Sequence, residues 1–234
     1  MLKKYLIKIW HEAAAINNDI LISCVKPQKT VKILDIGVFR GELALKRFKN
    51  IKNPDIYALD IDDEAIRSSK VLGIKAKKYD IEKGLPFKSN FFDIVCANQV
   101  IEHVVNVDSL AQEMFRVLKP KGFLIISTEN LSSWHNIFAL FLGWQAFSQQ
   151  ISSIKNIGNP FRLNDNQFEK RADIHIHIFT LKGLRELLEL HRFKIERVFG
   201  AGYYPFFGKV SQILSKIDPY HSAFIGIKAR KVKN

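Results

Sequence analysis

The stretch Val31–Glu42, VKILDIGVFRGE, decides the fold predicted for this chain. It opens with a short β-rich apolar run, which ends at Asp35, Gly37 and Gly41, and apolar residues then recur at helical spacing. This order predicts a strand, a glycine turn and a helix. In a parallel sheet such a turn lies beyond the carboxyl end of a strand, where ligands bind. An ordinary strand-to-helix turn has the same pattern, so the rest of the chain must separate the two interpretations.

The composition fits one α/β domain without a membrane span. The chain has 234 residues, of which 47% are hydrophobic, enough to bury a core. Its two cysteines, Cys24 and Cys96, are too few for a disulfide framework or a zinc cluster, and they indicate a reduced, cytoplasmic setting. The longest apolar segment, Ile137–Trp144, is far shorter than the ~20 residues that a spanning helix needs. We expect a soluble protein, with peripheral membrane contact as the alternative.

The net charge of +13 invites a nucleic-acid or anionic-surface interpretation. The basic residues are nevertheless scattered, with small clusters at Lys75–Lys78 and Lys228–Lys233, and no nucleic-acid motif accompanies them. A solvated lysine-rich surface is therefore predicted, and nucleic acid is not an expected partner.

Strands alternate with helices along most of the chain. After the central strand, the predicted strands are Asp55–Asp60, Ile74–Tyr79, Phe91–Ala97, Phe123–Thr128, Lys194–Phe199 and Ala223–Ala229. Alternation predicts a parallel sheet with helices on both faces. No full crossover helix is predicted between the last two strands, which indicates an antiparallel edge pair. The predicted fold class is α/β, a Rossmann-like, doubly wound, mostly parallel seven-stranded sheet with an antiparallel edge strand.

The whole chain, 1–234, is predicted to form a single domain with four parts. These are an N-terminal helix (1–26), a cofactor-binding core (31–130), a cap insertion (131–180), and a C-terminal helix with edge strands (181–234). The cap is rich in aromatic residues, which favours a partly helical structure over a disordered linker. Its position over the carboxyl end of the sheet suggests an acceptor with substantial apolar surface.

Two aspartates at predicted strand ends indicate a nucleoside site. Asp60 lies 23 positions after Gly37, where a carboxylate can accept hydrogen bonds from both hydroxyls of a ribose. Asp80 ends the next strand and can accept from an adenine amino group. Phe39 occupies the middle position of the G-x-G-x-x-G pattern, which disfavours a dinucleotide. Either aspartate could instead cap the helix or turn that follows it.

Several segments in order resemble the class I S-adenosylmethionine-dependent methyltransferases. They are LDIGVFRGE, ALDID, YDIEKGLPF, FFDIVCANQVIEHV and LKPKGFLIISTEN. More narrowly, QVIEHV, STEN, HIHIFT and GAGYYP resemble the ubiquinone-biosynthesis O-methyltransferase branch and its type 11 relatives. The core resemblance covers residues 31–130.

The resemblance implies S-adenosylmethionine as the cofactor, with S-adenosylhomocysteine as the product. Asp35, Gly37, Val38 and Gly41 would form the turn around its methionine part. Phe39 replaces a glycine that is usual in the family. Its ring would either narrow the methionine groove or point away from it.

The resemblance also assigns the adenosine contacts. Asp60 would hold the ribose hydroxyls, and Ile61 would pack on the adenine. Asp80 would take the adenine amino group, with Ile81 beside it. Asn98, at the end of the fourth strand of the core, would lie near the sulfonium.

His103, with Glu102 beside it, is the predicted proton acceptor. Methyl transfer is an in-line displacement, so the protein must align the atoms, exclude water and remove a proton when the acceptor is a hydroxyl. An imidazole titrates near neutral pH and suits that role. Gln99 stands where the ubiquinone branch usually has a glutamate, so no metal is predicted. The alternative is that both residues only begin the next helix.

Three further histidines are predicted to contact the acceptor. His175 and His177 alternate through isoleucines, which places both on one face of an extended segment. His135 follows the STEN segment. No third ligand is evident beside the histidine pair, so zinc is not predicted.

The predicted function is S-adenosylmethionine-dependent methylation of an oxygen on a small molecule, quinone-like phenol, lipid or glycan. One alternative, a nicotinamide-dependent oxidoreductase, is disfavoured by Phe39 and by a chain too short for a separate substrate domain. Another is a non-catalytic basic binding module that retains the fold. The sequence makes no prediction of an oligomeric state.

Overall fold

The computed structural model describes residues 2–26, 28–29, 31–161 and 174–232. In chain order the elements are α1 (Leu2–Cys24), β1 (Gln28–Lys29), β2 (Lys32–Ile36), α2 (Gly41–Arg47), β3 (Ile51–Lys52), β4 (Asp55–Asp60), α3 (Asp63–Val71), β5 (Lys75–Lys78), β6 (Phe92–Asn98), α4 (Val107–Val117), β7 (Leu118–Glu129), α5 (Trp134–Phe141), α6 (Leu181–Leu190), β8 (Phe193–Ala201), α7 (Gly208–Ile217) and β9 (Phe224–Lys231).

Seven strands form one sheet in the order β5-β4-β2-β6-β7-β9-β8. The first five strands in this order run parallel, and β9 runs antiparallel to both of its neighbours. This arrangement confirms the predicted Rossmann-like, mostly parallel seven-stranded sheet. Strands β1 and β3 form a separate parallel pair that was not predicted.

The two late strands form the predicted antiparallel edge pair, with β9 between β7 and the border strand β8. Helix α7 lies between them in the chain and was missed by the sequence analysis. It is not a crossover helix, because Ala201 at the end of β8 pairs with Phe224 at the start of β9. Helix α7 therefore begins and ends at the carboxyl edge of the sheet.

The central strands are buried on both faces, as expected where helices cover a parallel sheet on both sides. Each side chain of Ile94–Ala97 in β6 is fully buried. Helix α4 places Leu110, Met114 and Val117 in the core at helical spacing. It ends just before β7, which starts five residues earlier than predicted, at Leu118.

Helix α1 packs across the last strands of the sheet. Its Ile9 and Ala13 are buried in one apolar cluster with Tyr204, Ala223 and Phe224. Helix α1 therefore covers part of the sheet. None of the described helices is long and apolar enough to cross a bilayer.

The predicted cap, 131–180, contains one α-helix in its described part, α5. Residues 162–173 of that segment lie outside the described residues. The helix follows the carboxyl end of β7, so the described part of the cap begins at the predicted edge of the sheet.

Candidate functional site

A glycine turn follows β2, as the sequence predicts. Gly37 has φ +68°, and a Cβ there would meet Val100 Cγ2 at 2.4 Å. Both facts require glycine at this position. Phe39 also has a positive φ of 50°, but its side chain is 66% exposed and its ring lies against the Arg40 guanidinium. The Phe39 ring is therefore exposed, and its position relative to the methionine groove stays a prediction.

Asp60 ties this turn to the end of β4. Its Oδ2 accepts a hydrogen bond from the Phe39 N–H at 2.9 Å, and its Oδ1 accepts from the Asp62 N–H at 2.9 Å. Each carboxylate oxygen can accept a second hydrogen bond, so Asp60 can also receive ribose hydroxyls. Asp62, not Asp60, caps helix α3 by accepting from the N–H groups of Glu64 and Ala65. Asp60 therefore does not cap the helix, but through the Asp62 N–H it does cap the turn that follows it, one of the two alternatives predicted for this residue.

Asp80 is exposed and lies just beyond β5, the strand next to β4. It accepts from the Glu82 N–H at 3.1 Å, so it does cap the short 3-10 helix Ile81–Lys83. Ile61 is 49% exposed beside Asp60, and Ile81 packs partly against the core. The two predicted adenosine carboxylates therefore lie at the carboxyl ends of neighbouring strands.

Three residues predicted for the methionine turn are packed inside the protein. Asp35 is buried and forms an ion pair with Arg47 at 2.7 Å, and burial raises the pKa of its carboxyl. Val38 lies in the core, and Gly41 packs closely against helix α3. Because these side chains are internal, any contact with a cofactor would come from the backbone at Asp35 and Val38.

Asn98, at the end of β6, is held by a residue that the sequence analysis missed. Asn17 of α1 donates through Nδ2 to Asn98 Oδ1 at 2.9 Å, and its own Oδ1 accepts from Ser127 Oγ at 2.8 Å. Asn17 is 2% exposed. The sequence could have indicated that Asn17 is buried, because it follows Ile9 and Ala13 at four-residue steps and so continues the buried stripe of the helix.

The structure brings Glu102, His103 and His175 together at the same edge of the sheet. One potential donor atom from each lies within 4.8 Å of the other two. The rings of His103 and His175 meet edge to face, with centroids 4.8 Å apart. Glu102 Oε2 accepts from Thr128 Oγ1 at 2.9 Å, and Oε1 is buried without a hydrogen bond to any described residue. The expectation of no bound metal stays a prediction.

Burial shifts the protonation of this cluster. It raises the pKa of the Glu102 carboxyl to about 7. Burial, together with the neighbouring His175, lowers the pKa of the His103 imidazole to about 4. At neutral pH His103 is thus uncharged, while Glu102 is near its titration midpoint. A buried acid with such a pKa can exchange protons under physiological conditions.

Glu129, another residue without a predicted role, extends the cluster. Its Oε2 lies 3.7 Å from His175 Nδ1, and its Oε1 accepts from the Trp10 indole N–H at 3.1 Å. The STEN segment could have indicated this residue, because an acid that ends the apolar strand β7 lies at the edge of the sheet. The same Nδ1 of His175 is 2.7 Å from the Ser148 carbonyl oxygen, which further fixes the ring.

The other two predicted acceptor histidines have separate surroundings. His177 Nε2 lies 3.2 Å from the Val105 carbonyl oxygen. The His135 ring lies between the rings of Tyr204 and Phe147, at centroid distances of 4.2 and 5.7 Å. Burial lowers the pKa of His135 to about 3, so it is neutral. Acceptor contact by these two residues stays a prediction.

The sheet has a Rossmann-like order, with the carboxylates of Asp60 and Asp80 at neighbouring strand ends. Residues 34–126 match the family described as methyltransferase domain. This match confirms the predicted resemblance to the class I S-adenosylmethionine-dependent methyltransferases.

Curated relatives of this chain act in quinone biosynthesis. The mitochondrial ubiquinone biosynthesis O-methyltransferase of Bos taurus is 29% identical over 194 residues, which cover 78% of this chain and 46% of that protein. The chain thus spans about half the length of this mammalian relative. A ubiquinone/menaquinone biosynthesis C-methyltransferase of Vibrio cholerae is 29% identical over 211 residues, which cover 76% of this chain and 77% of that protein.

Solved structures share the fold. A methyltransferase from Thermotoga maritima, described as S-adenosylmethionine-dependent and a possible histamine N-methyltransferase, superposes with a TM-score of 0.60 at 17% identity. The superposition covers 95% of this chain and 91% of that chain. A similarity at this level of identity bears on the fold alone.

Proposed function

We propose that this protein transfers a methyl group from S-adenosylmethionine to an oxygen of a small-molecule, quinone-like phenol, lipid or glycan acceptor. The single observation that carries the proposal is the placement of Asp60. Its carboxylate lies at the end of β4, joins the glycine turn to that strand, and retains acceptor capacity for ribose hydroxyls. We assign the cytoplasm as its location, on the strength of two free, buried cysteines.

The residues at this edge fit S-adenosylmethionine. Asp60 would hold the ribose, Asp80 the adenine amino group and Ile61 the adenine face, while the backbone around Gly37 would border the methionine part. When bound, the cofactor supplies an activated methyl group. The protein then has to align the acceptor oxygen with it and keep water out.

The cluster beside Asn98 provides the proton chemistry. Glu102 is near its titration midpoint at neutral pH, so its ionised fraction can take the proton that a hydroxyl acceptor loses. We therefore give Glu102 the proton-accepting role predicted for His103, because a pKa of about 4 makes His103 the weaker base. The neutral imidazole can accept a hydrogen bond from that hydroxyl and orient it. A buried acid–imidazole cluster at this position supports oxygen as the methylated atom. C-methylation, named for the Vibrio relative, is the competing outcome, and mass spectrometry with NMR of the product distinguishes the two.

The Asp60→Asn variant tests the cofactor site. We expect S-adenosylhomocysteine affinity to fall by about 10- to 100-fold in calorimetric titration, because a charge-assisted hydrogen bond contributes about 1.5–3 kcal/mol. Asp63→Asn is the matched control, because Asp63 is an exposed acid three residues away in α3. NAD should not bind the wild-type protein. Equal affinity in Asp60→Asn and wild type would remove Asp60 from the site.

A further inference from the structure

Helix α7 turns its apolar side chains outwards. Val210, Ile213 and Ile217 lie on one stripe of the helix and are 51%, 56% and 75% exposed. Ser211 and Ser215 face the protein instead and are buried, and the Ser215 hydroxyl donates to the Ser211 carbonyl oxygen. A surface helix ordinarily buries its apolar stripe and exposes its polar one. The inverted arrangement leaves a row of branched apolar side chains without a partner in the described structure.

Helix α5 has the same inversion. Trp134, Phe138 and Phe141 follow one another at helical spacing and are 44%, 58% and 85% exposed. Asn136 and Ala139 point inwards and are fully buried. The Asn136 amide donates two hydrogen bonds inside the protein, so its burial is fully compensated. The aromatic side chains are therefore exposed because helix α5 is oriented with its polar and small residues towards the protein.

Direct contacts join the two helices into one surface. The Trp134 indole N–H donates to the Tyr203 hydroxyl at 2.6 Å, and that hydroxyl donates to Asp218, which ends α7, at 2.7 Å. At the other end of α7, Phe207 meets the ring of Tyr5 from α1. We define the outer apolar face as Trp134, Phe138, Phe207, Val210, Ile213 and Ile217. Exposed apolar surface of this extent marks an interaction site.

Basic side chains accompany the outer apolar face. Lys209 and Lys216 are exposed on one flank of the α7 stripe, and Lys4 and Lys8 are exposed on α1 next to Tyr5. The chain as a whole carries a net charge of +13. Aromatic and branched apolar side chains beside lysines are the combination that binds the interface of an anionic membrane, through burial of apolar area and attraction to the headgroups.

We propose that the outer apolar face docks the protein on an anionic lipid surface. Helices α5 and α7 follow the carboxyl ends of β7 and β8, so this face borders the same sheet edge as Glu102 and His175. Docking would place the candidate site beside the lipid and give access to apolar acceptors dissolved in it. The proposal does not depend on methyl transfer, because the lipid surface is bound without cofactor.

Vesicle flotation tests this proposal on the full chain without cofactor. Vesicles of 7:3 phosphatidylcholine and phosphatidylglycerol are compared with vesicles of phosphatidylcholine alone. We expect the wild type to float with the anionic vesicles and to remain at the bottom with the neutral ones. Flotation should fall in 0.5 M salt, because salt screens the lysines. Wild-type protein that does not float with anionic vesicles would overturn the proposal.

Two double variants locate the contact. Ile213→Ser with Ile217→Ser removes apolar area, and Lys209→Glu with Lys216→Glu reverses charge. Each should lower the bound fraction at least tenfold. The matched controls are Val71→Ser with Leu190→Ser, which alter exposed apolar residues on α3 and α6, and Lys49→Glu with Lys70→Glu. The controls should float like the wild type.

Two further results would count against the lipid surface. Equal flotation of the Ile213→Ser/Ile217→Ser protein and the wild type would show that another surface binds the vesicles. Analytical ultracentrifugation provides the second result. A wild-type dimer that the same double variant dissociates would make the face an interface between two copies of the chain. Since all substituted side chains are exposed, unchanged thermal unfolding should accompany every variant.

Discussion

At the scale of single residues, Asp60 and Glu102 show how neighbours decide what a carboxylate does. Both are acids near strand ends, yet Asp60 is half-exposed and accepts two backbone N–H groups, whereas Glu102 is 1% exposed with a single hydroxyl donor. Hydrogen-bond donors favour the charged form, and burial disfavours it. Asp60 is thus suited to accept hydrogen bonds from a ligand, and Glu102 to exchange a proton.

Glu102→Gln should change the pH dependence of turnover. The ionised fraction of Glu102 falls as pH drops through about 7, so wild-type kcat should decline on the acid side of that value. The glutamine keeps the size and a hydrogen-bond partner for Thr128 but cannot take a proton. We expect kcat to fall about 10²- to 10⁴-fold, with this acid limb lost and S-adenosylhomocysteine affinity retained. The measurement is kcat from pH 5.5 to 9.

Glu186→Gln, an exposed change on α6, serves as the control and should keep the wild-type profile. An acid limb that persists near pH 7 in Glu102→Gln would transfer the proton-accepting role to another group. Equal losses in kcat and in cofactor affinity would give Glu102 a structural role instead.

At the scale of elements, helix α1 lines one side of the candidate site. Asn17 connects it to Asn98 at the end of β6 and to Ser127 in β7, so one buried side chain fixes three elements. The Asn17 amide donates one of these hydrogen bonds and accepts the other, and an apolar side chain could form neither. Helix α1 therefore packs on the sheet and also holds a residue of the candidate site in place.

Asn17→Ala should weaken both the fold and the cofactor site. It leaves Asn98 Oδ1 and the Ser127 hydroxyl without their partner, which costs about 1–3 kcal/mol of unfolding free energy. Cofactor affinity should fall with it, because Asn98 loses its fixed position. Urea unfolding and S-adenosylhomocysteine titration measure the two effects. Asn18→Ala is the control, since Asn18 bonds to the Ala14 carbonyl of its own helix. Identical behaviour of the two variants would refute this role.

The sequence predicts elements well where local pattern and tertiary environment agree. Strand β4 runs over the predicted Asp55–Asp60 because acids mark both of its ends. Helix α7 was missed although Val210, Ile213 and Ile217 recur at helical spacing. That its apolar stripe faces solvent could not be predicted, because periodicity does not show which face of a helix is buried. The β1–β3 pair escaped prediction because it joins two-residue segments that are distant in the chain.

At the scale of the whole molecule, buried histidines link stability to pH. His135 and His103 are held neutral by burial, with pKa values lowered to about 3 and about 4 from an ordinary 6.5. The unfolded chain takes up these protons below pH 6.5, and the folded chain does not. The contribution of these two histidines to the free energy of unfolding is thus fully present above pH 6.5 and declines as the pH falls towards 4.

His135→Phe should make the protein less sensitive to acid. Each neutral buried histidine contributes a slope of about 1.4 kcal/mol per pH unit in this range, and the variant lacks one of them. Urea unfolding at several pH values between 4 and 7 measures the slope. His11→Phe, at an exposed histidine of α1, should retain the wild-type slope. A slope in His135→Phe as steep as in wild type would show that His135 is protonated in the folded state.

The site was predicted less completely than the fold, again for physical reasons. The sequence places Asp60 and Asp80 correctly at adjacent strand ends because parallel topology brings carboxyl ends together. It does not show that Asp35 forms an ion pair with Arg47, nor that the Glu129 carboxylate lies beside the His175 ring. Those contacts depend on how separate segments pack together. Pairings of this kind appear only in three dimensions.

The packing of α1 on Tyr204 and Phe224 has a consequence for biosynthesis. Helix α1 is synthesised well before Tyr204 and Phe224, which cover its apolar stripe, so that stripe stays exposed during this interval of translation. Nascent chains of this protein should therefore engage chaperones through helix α1, and release should coincide with the emergence of β8 and β9.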